Sequence, residues 1–170
     1  MRPQDIVIIL KKLTDKGRGL LNGQLAKELG ISASEVSEAL ERCRIAKLVD
    51  ATKKRVNLLA LEEFLVHGLK YVFPVQPQAK VRGVATAVSA SPLKESFVAC
   101  DENFVWPDSS GNMRGMAITP LYHTVPLAIG RDSQLHQLLA IADTFRIGRA
   151  REVNVAKSEL KRFLNAYDVQ

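Results

Sequence analysis

The stretch Gly23-Gln24-Leu25-Ala26-Lys27-Glu28-Leu29-Gly30-Ile31-Ser32-Ala33-Ser34-Glu35-Val36-Ser37 decides how the first third of the chain folds. Leu25, Ala26 and Leu29 share one face of a short helix, roughly Gly23 to Leu29, and Gly30 supplies the freedom of a tight turn after it. Ser32 then caps a second helix, and Glu35, three residues on, completes a capping box. Ile31 and Val36 occupy the two positions of a hydrophobic staple, which fixes how the chain enters that helix. Val36, Leu40 and Cys43 recur at i, i+4 and i+7, so Cys43 is expected to lie buried against a helix that precedes this pair.

On the N-terminal side, Pro3, Asp5 and the stripe Ile6, Ile9, Leu10 and Leu13 predict that preceding helix, ended by Asp15-Lys16-Gly17-Arg18-Gly19. On the C-terminal side the period changes. Leu48-Val49-Asp50 and Arg55-Val56-Asn57 read as short strands joined by Ala51-Thr52-Lys53-Lys54, a hairpin with a basic tip. Asn57 can cap one more helix, with Leu61, Leu65 and Leu69 on one face and Glu62, Glu63 and Lys70 on the other.

Helix, helix, turn, helix, then a charged hairpin resembles the winged helix-turn-helix of bacterial transcriptional regulators, MarR-like and related families, over residues 3–58. Ala39-Leu40-Glu41-Arg42 and Ala46-Lys47-Leu48-Val49 continue the likeness. The resemblance implies double-stranded DNA as the ligand, with the third helix in the major groove and the hairpin on phosphates or in the minor groove. Carried over by position, the reading face holds Ser34, Ser37, Glu38, Glu41, Arg42 and Ile45, and Lys53, Lys54 and Arg55 form the wing. Gln24 and Lys27 would approach the DNA backbone beside the turn, and Lys11 and Lys12 lie on the polar side of the first helix. One departure stands out: good readers present Arg, Asn or Gln to base edges, whereas Glu38 and Glu41 face outward here, which leaves much of the affinity to the wing. A homodimer follows from the resemblance and from the usual match between two-fold proteins and palindromic sites.

Composition agrees with a globular protein. Of 170 residues, 46% are hydrophobic and 25% charged, which excludes a disordered tail. The early apolar run Ile6 to Leu10 is far short of a membrane span and no secretory leader follows it, so a cytoplasmic protein away from membranes is expected. Cys43 and Cys100 are too few for a disulfide scaffold or a cysteine-built zinc site. The net charge of +6 permits nucleic-acid binding, and residues 1–72 carry most of it, with 13 basic and 9 acidic side chains against 11 and 9 in the remainder.

The composition shifts near Pro74, where prolines begin to punctuate short β-branched and aromatic runs. The expected class is α+β, with residues 1–72 as the DNA-binding module and residues 73–170 as a strand-rich module closed by two helices that dimerises, senses a ligand or binds a protein partner. Phe97-Val98-Ala99, Phe104-Val105-Trp106 and Met113 to Ile118 read as strands, with Asp108 to Asn112 as a turn. Val81-Arg82-Gly83-Val84-Ala85 and Met113-Arg114-Gly115-Met116-Ala117 repeat the pattern apolar-Arg-Gly-apolar-Ala. Two readings fit it: paired strands whose glycines admit another backbone, or Arg82 and Arg114 clamping one anion. Trp106 before Pro107 reads as core or a dimer contact.

Leu135, Leu138, Leu139, Ala142 and Phe145 predict an amphipathic helix, and Val155, Ala156, Leu160, Phe163 and Leu164 a second. Between them Arg146, Arg149 and Arg151 either meet an anion or an acidic partner, or complement a helix end.

No catalytic constellation is present. His67, His123 and His136 are scattered, Cys100 sits beside carboxylates, and no P-loop or metal-ligand spacing occurs. The expected function is therefore a non-enzymatic DNA-binding regulator, a repressor, needing no metal or cofactor. The alternative is an antitoxin or adaptor of a bacterial defence operon that neutralises a partner through residues 73–170.

Overall fold

The computed structural model describes residues 1–97 and 102–168. The chain is mixed α+β. Along it run α1 (Pro3–Lys12), α2 (Asn22–Leu29), α3 (Ala33–Ile45), α4 (Leu58–Glu63), a π turn (Phe64–Gly68) and α5 (Leu69–Val72). Three strands follow, β1 (Gln78–Ala85), β2 (Phe104–Pro107) and β3 (Met113–Ala117), and then α6 (Val125–Ile129), α7 (Ser133–Ile147) and α8 (Ala150–Asp168).

These elements group into two compact units, Met1–Glu63 with Leu121–Leu135, and Phe64–Pro120 with His136–Gln170. The grouping differs from the division expected at residue 72: residues 64–72 fall in the second unit, and residues 121–135 join the first. Long-range polar bonds fasten the latter segment there. Thr124 Oγ1 donates to the Leu29 carbonyl at 2.6 Å, and Asp132 Oδ2 accepts from Lys11 Nζ at 2.8 Å and Thr14 Oγ1 at 2.7 Å.

In the first unit α1 is buried on every side. Beyond the expected stripe, Val7 and Ile8 are also buried, as suits a helix whose middle is apolar all round. Each fully buried aliphatic side chain of this kind contributes about 1.5–3 kcal/mol. Lys11 and Lys12, expected on a polar side, are buried as well. Lys11 survives burial by pairing with Asp132, whereas burial draws the Lys12 ammonium below its usual range, with the charge of Asp50 opposing.

The turn between α2 and α3 forms as the residues dictate. Gly30 adopts φ 64°, the Ser32 side chain accepts from the Glu35 amide at 3.2 Å, and Glu35 Oε2 accepts from the Ser32 amide at 3.3 Å. Val36, Ala39, Leu40 and Cys43 are the buried face of α3. Burial pushes the Cys43 thiol up to about 12, reinforced by Asp5 and opposed by Arg42, so it stays protonated and acts as a small apolar residue. Asn57 caps α4 through the Ala60 amide at 3.2 Å, and Leu61, Leu65 and Leu69 are all buried.

In the second unit β1 runs antiparallel to both β2 and β3, and β2 and β3 lie parallel, so the three close into a small barrel. The glycines of the repeated fragments permit the closure. A Cβ on Gly83 would collide with the Trp106 carbonyl, and one on Gly115 with the Asn103 carbonyl. This is the close backbone approach that the apolar-Arg-Gly pattern predicts. Asp108 organises the turn before β3 by accepting from the Ser110 amide at 2.8 Å and its hydroxyl at 2.7 Å. The strand expected at Phe97-Val98-Ala99 does not begin at Phe97, which ends a 3-10 turn over Leu93–Ser96; residues 98 and 99 lie outside the described residues.

The core of this unit contains one polar network. Asp143 Oδ2 accepts from Trp106 Nε1 at 2.7 Å and Thr86 Oγ1 at 2.8 Å, and Oδ1 from Arg146 at 2.7 Å. Burial pushes the Asp143 carboxyl up, against the pull of Arg146, Thr86 and Trp106. Among the described residues every buried side-chain nitrogen and oxygen has a partner, and no helix is long and apolar enough to cross a membrane.

Candidate nucleic-acid interface

The exposed side of α3 begins at its capped N-terminus. Ser34, Ser37 and Glu38 point away from the buried Val36–Leu40–Cys43 face and are exposed, as the 100° step per residue requires. The capping box engages the Ser32 and Glu35 amides, so the amides of Ala33 and Ser34 are the ones at this helix start that could meet an approaching phosphate. Lys27 on α2 is exposed and makes no ion pair among the described residues. Gln24 is exposed too, but its side chain is engaged, with Oε1 accepting the Leu21 amide at 2.8 Å at the start of α2.

Arg42 is placed differently from expectation. Its guanidinium turns back onto α1 and donates from Nε to Asp5 Oδ2 at 2.9 Å and from Nη2 to Oδ1 at 2.8 Å. Asp5 is wholly buried and also accepts the Arg2 amide at 2.8 Å, so this fork locks α3 to α1. Hydrogen bonding to Asp5 raises the Arg42 pKa further above its already high value. To read a base, Arg42 would have to leave a buried carboxylate uncompensated, which is costly. Its residual contact to Glu38, at 3.7 Å, is loose.

Glu41 is the centre of a second cluster. Arg44 Nη2 reaches its Oε1 at 2.6 Å and Lys53 Nζ its Oε2 at 2.7 Å. Hydrogen bonds from Arg44 and Lys53 pull its carboxyl down to about 2, so Glu41 stays ionised at every physiological pH. The outward carboxylate that would repel a phosphate is neutralised by these two cations. Lys53 in turn is tied to α3.

The hairpin is shorter than expected. One antiparallel bridge, Val49 to Val56, holds it, and the tip is shaped by Asp50 instead of by strand pairing. Asp50 Oδ1 accepts the Lys54 amide at 2.9 Å and the Arg55 amide at 3.1 Å, while Oδ2 accepts the Thr52 hydroxyl at 2.6 Å. The Thr52 hydroxyl, with these amides, holds the Asp50 carboxyl below its usual range. Lys53 takes φ 61°, which turns its side chain toward Glu41 and leaves Lys54 and Arg55 exposed without an ion pair among the described residues. Of the three wing residues, these two retain available charge.

The second unit holds the remaining candidates. Arg82 and Arg114 are exposed and stand directly opposite each other in the β1–β3 ladder. Arg146 is not available as an anion or partner contact: its side chain is 5% exposed and donates to Asp143 and to the carbonyls of Phe73 at 2.9 Å and Thr119 at 3.2 Å. Arg151 lies over the Phe97 ring at 5.8 Å, and Arg149 is exposed, its amide donating to Glu152 at the start of α8.

Sequence reasoning missed Arg44, whose i,i+3 spacing from Glu41 is its signal, and Lys80, two residues before Arg82 on the same strand. No protein-family model matches the chain, and comparison with curated proteins and with solved structures finds no match.

Proposed function

We propose that the chain is a winged helix-turn-helix DNA-binding regulator, a repressor that acts as a homodimer on duplex DNA through its first unit. The observation that carries this reading is the exposed, capped start of α3 in the same unit as a hairpin whose Lys54 and Arg55 are left without ion pairs among the described residues. Phosphates would meet Lys27, Lys54, Arg55 and the Ala33 and Ser34 amides at the α3 start, which supply affinity and orientation but no sequence information. Base edges would meet Ser34, Ser37 and Glu38, the last accepting from a cytosine amino group. With Arg42 engaged by Asp5 and Lys53 by Glu41, direct readout rests on few contacts, so the specificity ratio is expected to be modest and the salt dependence steep.

The test is binding of the full chain to a labelled duplex from upstream of its own gene, against scrambled DNA, between about 50 and 200 mM salt. Preference for the upstream duplex at the higher salt supports a regulator. Replacing Lys54 and Arg55 by Ala should weaken binding to both duplexes and reduce the salt slope by about two. Absence of duplex binding would overturn the reading and turn attention to a protein partner, the role of an antitoxin or adaptor.

A further inference from the structure

The two Arg-Gly fragments face each other. Val81 pairs with Gly115, Arg82 with Arg114 and Gly83 with Met113, so a local two-fold axis runs between the arginines and relates one fragment to the other. Directly opposed residues of an antiparallel pair project from the same face with their Cβ atoms about 5 Å apart, and like charges in that position destabilise the sheet. Lys80, two residues before Arg82, adds a third exposed cation to this face, and it pairs with Met116. Neither β1 nor β3 contains a carboxylate, and Lys80, Arg82 and Arg114 make no side-chain ion pair or hydrogen bond among the described residues. Glu102, shortly before β2, is exposed and does not pair with either arginine.

The face also carries apolar surface. Met116 pairs with Phe104 on β2, and both are half-buried beside the cations. The barrel beneath is stiff at the arginines, since the neighbouring Gly83 is held against the Trp106 carbonyl on β2 and Gly115 against the Asn103 carbonyl just before it. Unneutralised cations on a rigid face, with an aromatic ring on the adjoining strand across Met116, match what a single nucleic-acid strand presents: phosphates for the guanidinium forks and a base for the ring. A lone small anion would meet only the two guanidinium forks, whereas successive phosphates of one strand neutralise all three charges.

We infer that the β1–β3 face is a second, independent site that binds single-stranded nucleic acid, with Arg82 and Arg114 sharing a phosphate, Lys80 taking the next and Phe104 stacking a base. The site does not depend on the winged-helix reading, which concerns duplex DNA and the other unit.

The experiment is fluorescence anisotropy of the full chain with a labelled oligothymidylate of about 12 nucleotides, a length within the usual site size. The Arg82→Ala, Arg114→Ala double variant should lose about tenfold or more in affinity and flatten the salt slope by one to about two. Phe104→Leu should weaken binding at unchanged salt slope. Lys54→Ala, Arg55→Ala should leave oligothymidylate binding unchanged while weakening duplex binding, so the two sites fail separately. The inference is overturned if the wild-type chain does not bind the oligonucleotide, if the arginine double variant binds it as well as wild type, or if an acidic peptide of equal charge competes as effectively as the oligonucleotide.

Discussion

In the sequence the outward side of α3 sets Arg42 beside Glu38 and Glu41 with a basic wing next to it, and the β1–β3 ladder carries Arg82 and Arg114; the two surfaces treat these cations in opposite ways. On and around α3, Arg42 is engaged by Asp5, while Arg44 and Lys53 share Glu41. On the sheet, Arg82, Arg114 and Lys80 have no such partner among the described residues. Available charge is therefore set by pairing, and a count of basic residues does not reveal it. In the first unit Lys27, Lys54 and Arg55 are left without ion pairs among the described residues, and the second unit keeps a compact cluster of such cations.

The same substitution on the two surfaces gives the sharpest contrast. Arg42→Ala strands a wholly buried Asp5 and should lower stability by about 3 kcal/mol, read as a lower urea midpoint at unchanged slope. Arg82→Ala should stay within about 0.5 kcal/mol of wild type. Equal losses would mean that the arginines are not differently employed, and the comparison would break.

A smaller effect comes from the other internal pair of the first unit. Burial raises the Asp132 carboxyl, but hydrogen bonds from Lys11, Thr14 and the Leu135 amide, with the Lys11 charge, outweigh it and hold the group below its usual range. A depressed folded pKa contributes stability that is present above about pH 4 and is lost as pH falls through the folded value. Asp132→Asn should therefore cost about 2 kcal/mol at neutral pH, and its deficit should shrink as the pH drops below about 4. A deficit that holds constant down to pH 2 would remove this pair from the account of acid stability.

The smallest effect has the opposite sign. Arg114→Glu replaces a repulsive cross-strand pair by an attractive one and should raise stability by up to about 1 kcal/mol in thermal or urea unfolding. A loss instead would show that Arg114 has a structural role on the sheet.

Local signals carried the N-terminal helices well. The capping box at Ser32 and Glu35, the Gly30 turn, the Asn57 cap and the Leu61–Leu65–Leu69 face all depend on residues within a few positions of one another, and all form. What stayed hidden was one long-range bond and the shape of the wing tip. The 100° step places Arg42 outside the apolar stripe of α3, but its long side chain reaches back to Asp5, 37 positions away. The left-handed residue at Lys53 redirected one wing cation, and Asp50, read as a strand residue, shaped the tip. In the second unit the Arg-Gly echo gave away paired strands and close backbone approach, while closure into a barrel depends on contacts with β2 that no local pattern encodes.

The bond between Lys11 and Asp132 bridges 121 positions of sequence. During synthesis the first unit is thus unfinished until most of the chain has emerged, since its buried ammonium has no Asp132 to meet before then. Non-local closure of this kind raises contact order and slows folding, leaving a partly assembled N-terminal segment exposed to misassociation in the interval. A fragment ending at residue 72 would be caught permanently in that interval. The N-terminal helices are one end of a discontinuous unit, and the segment that completes them arrives only after the three-stranded barrel has been made.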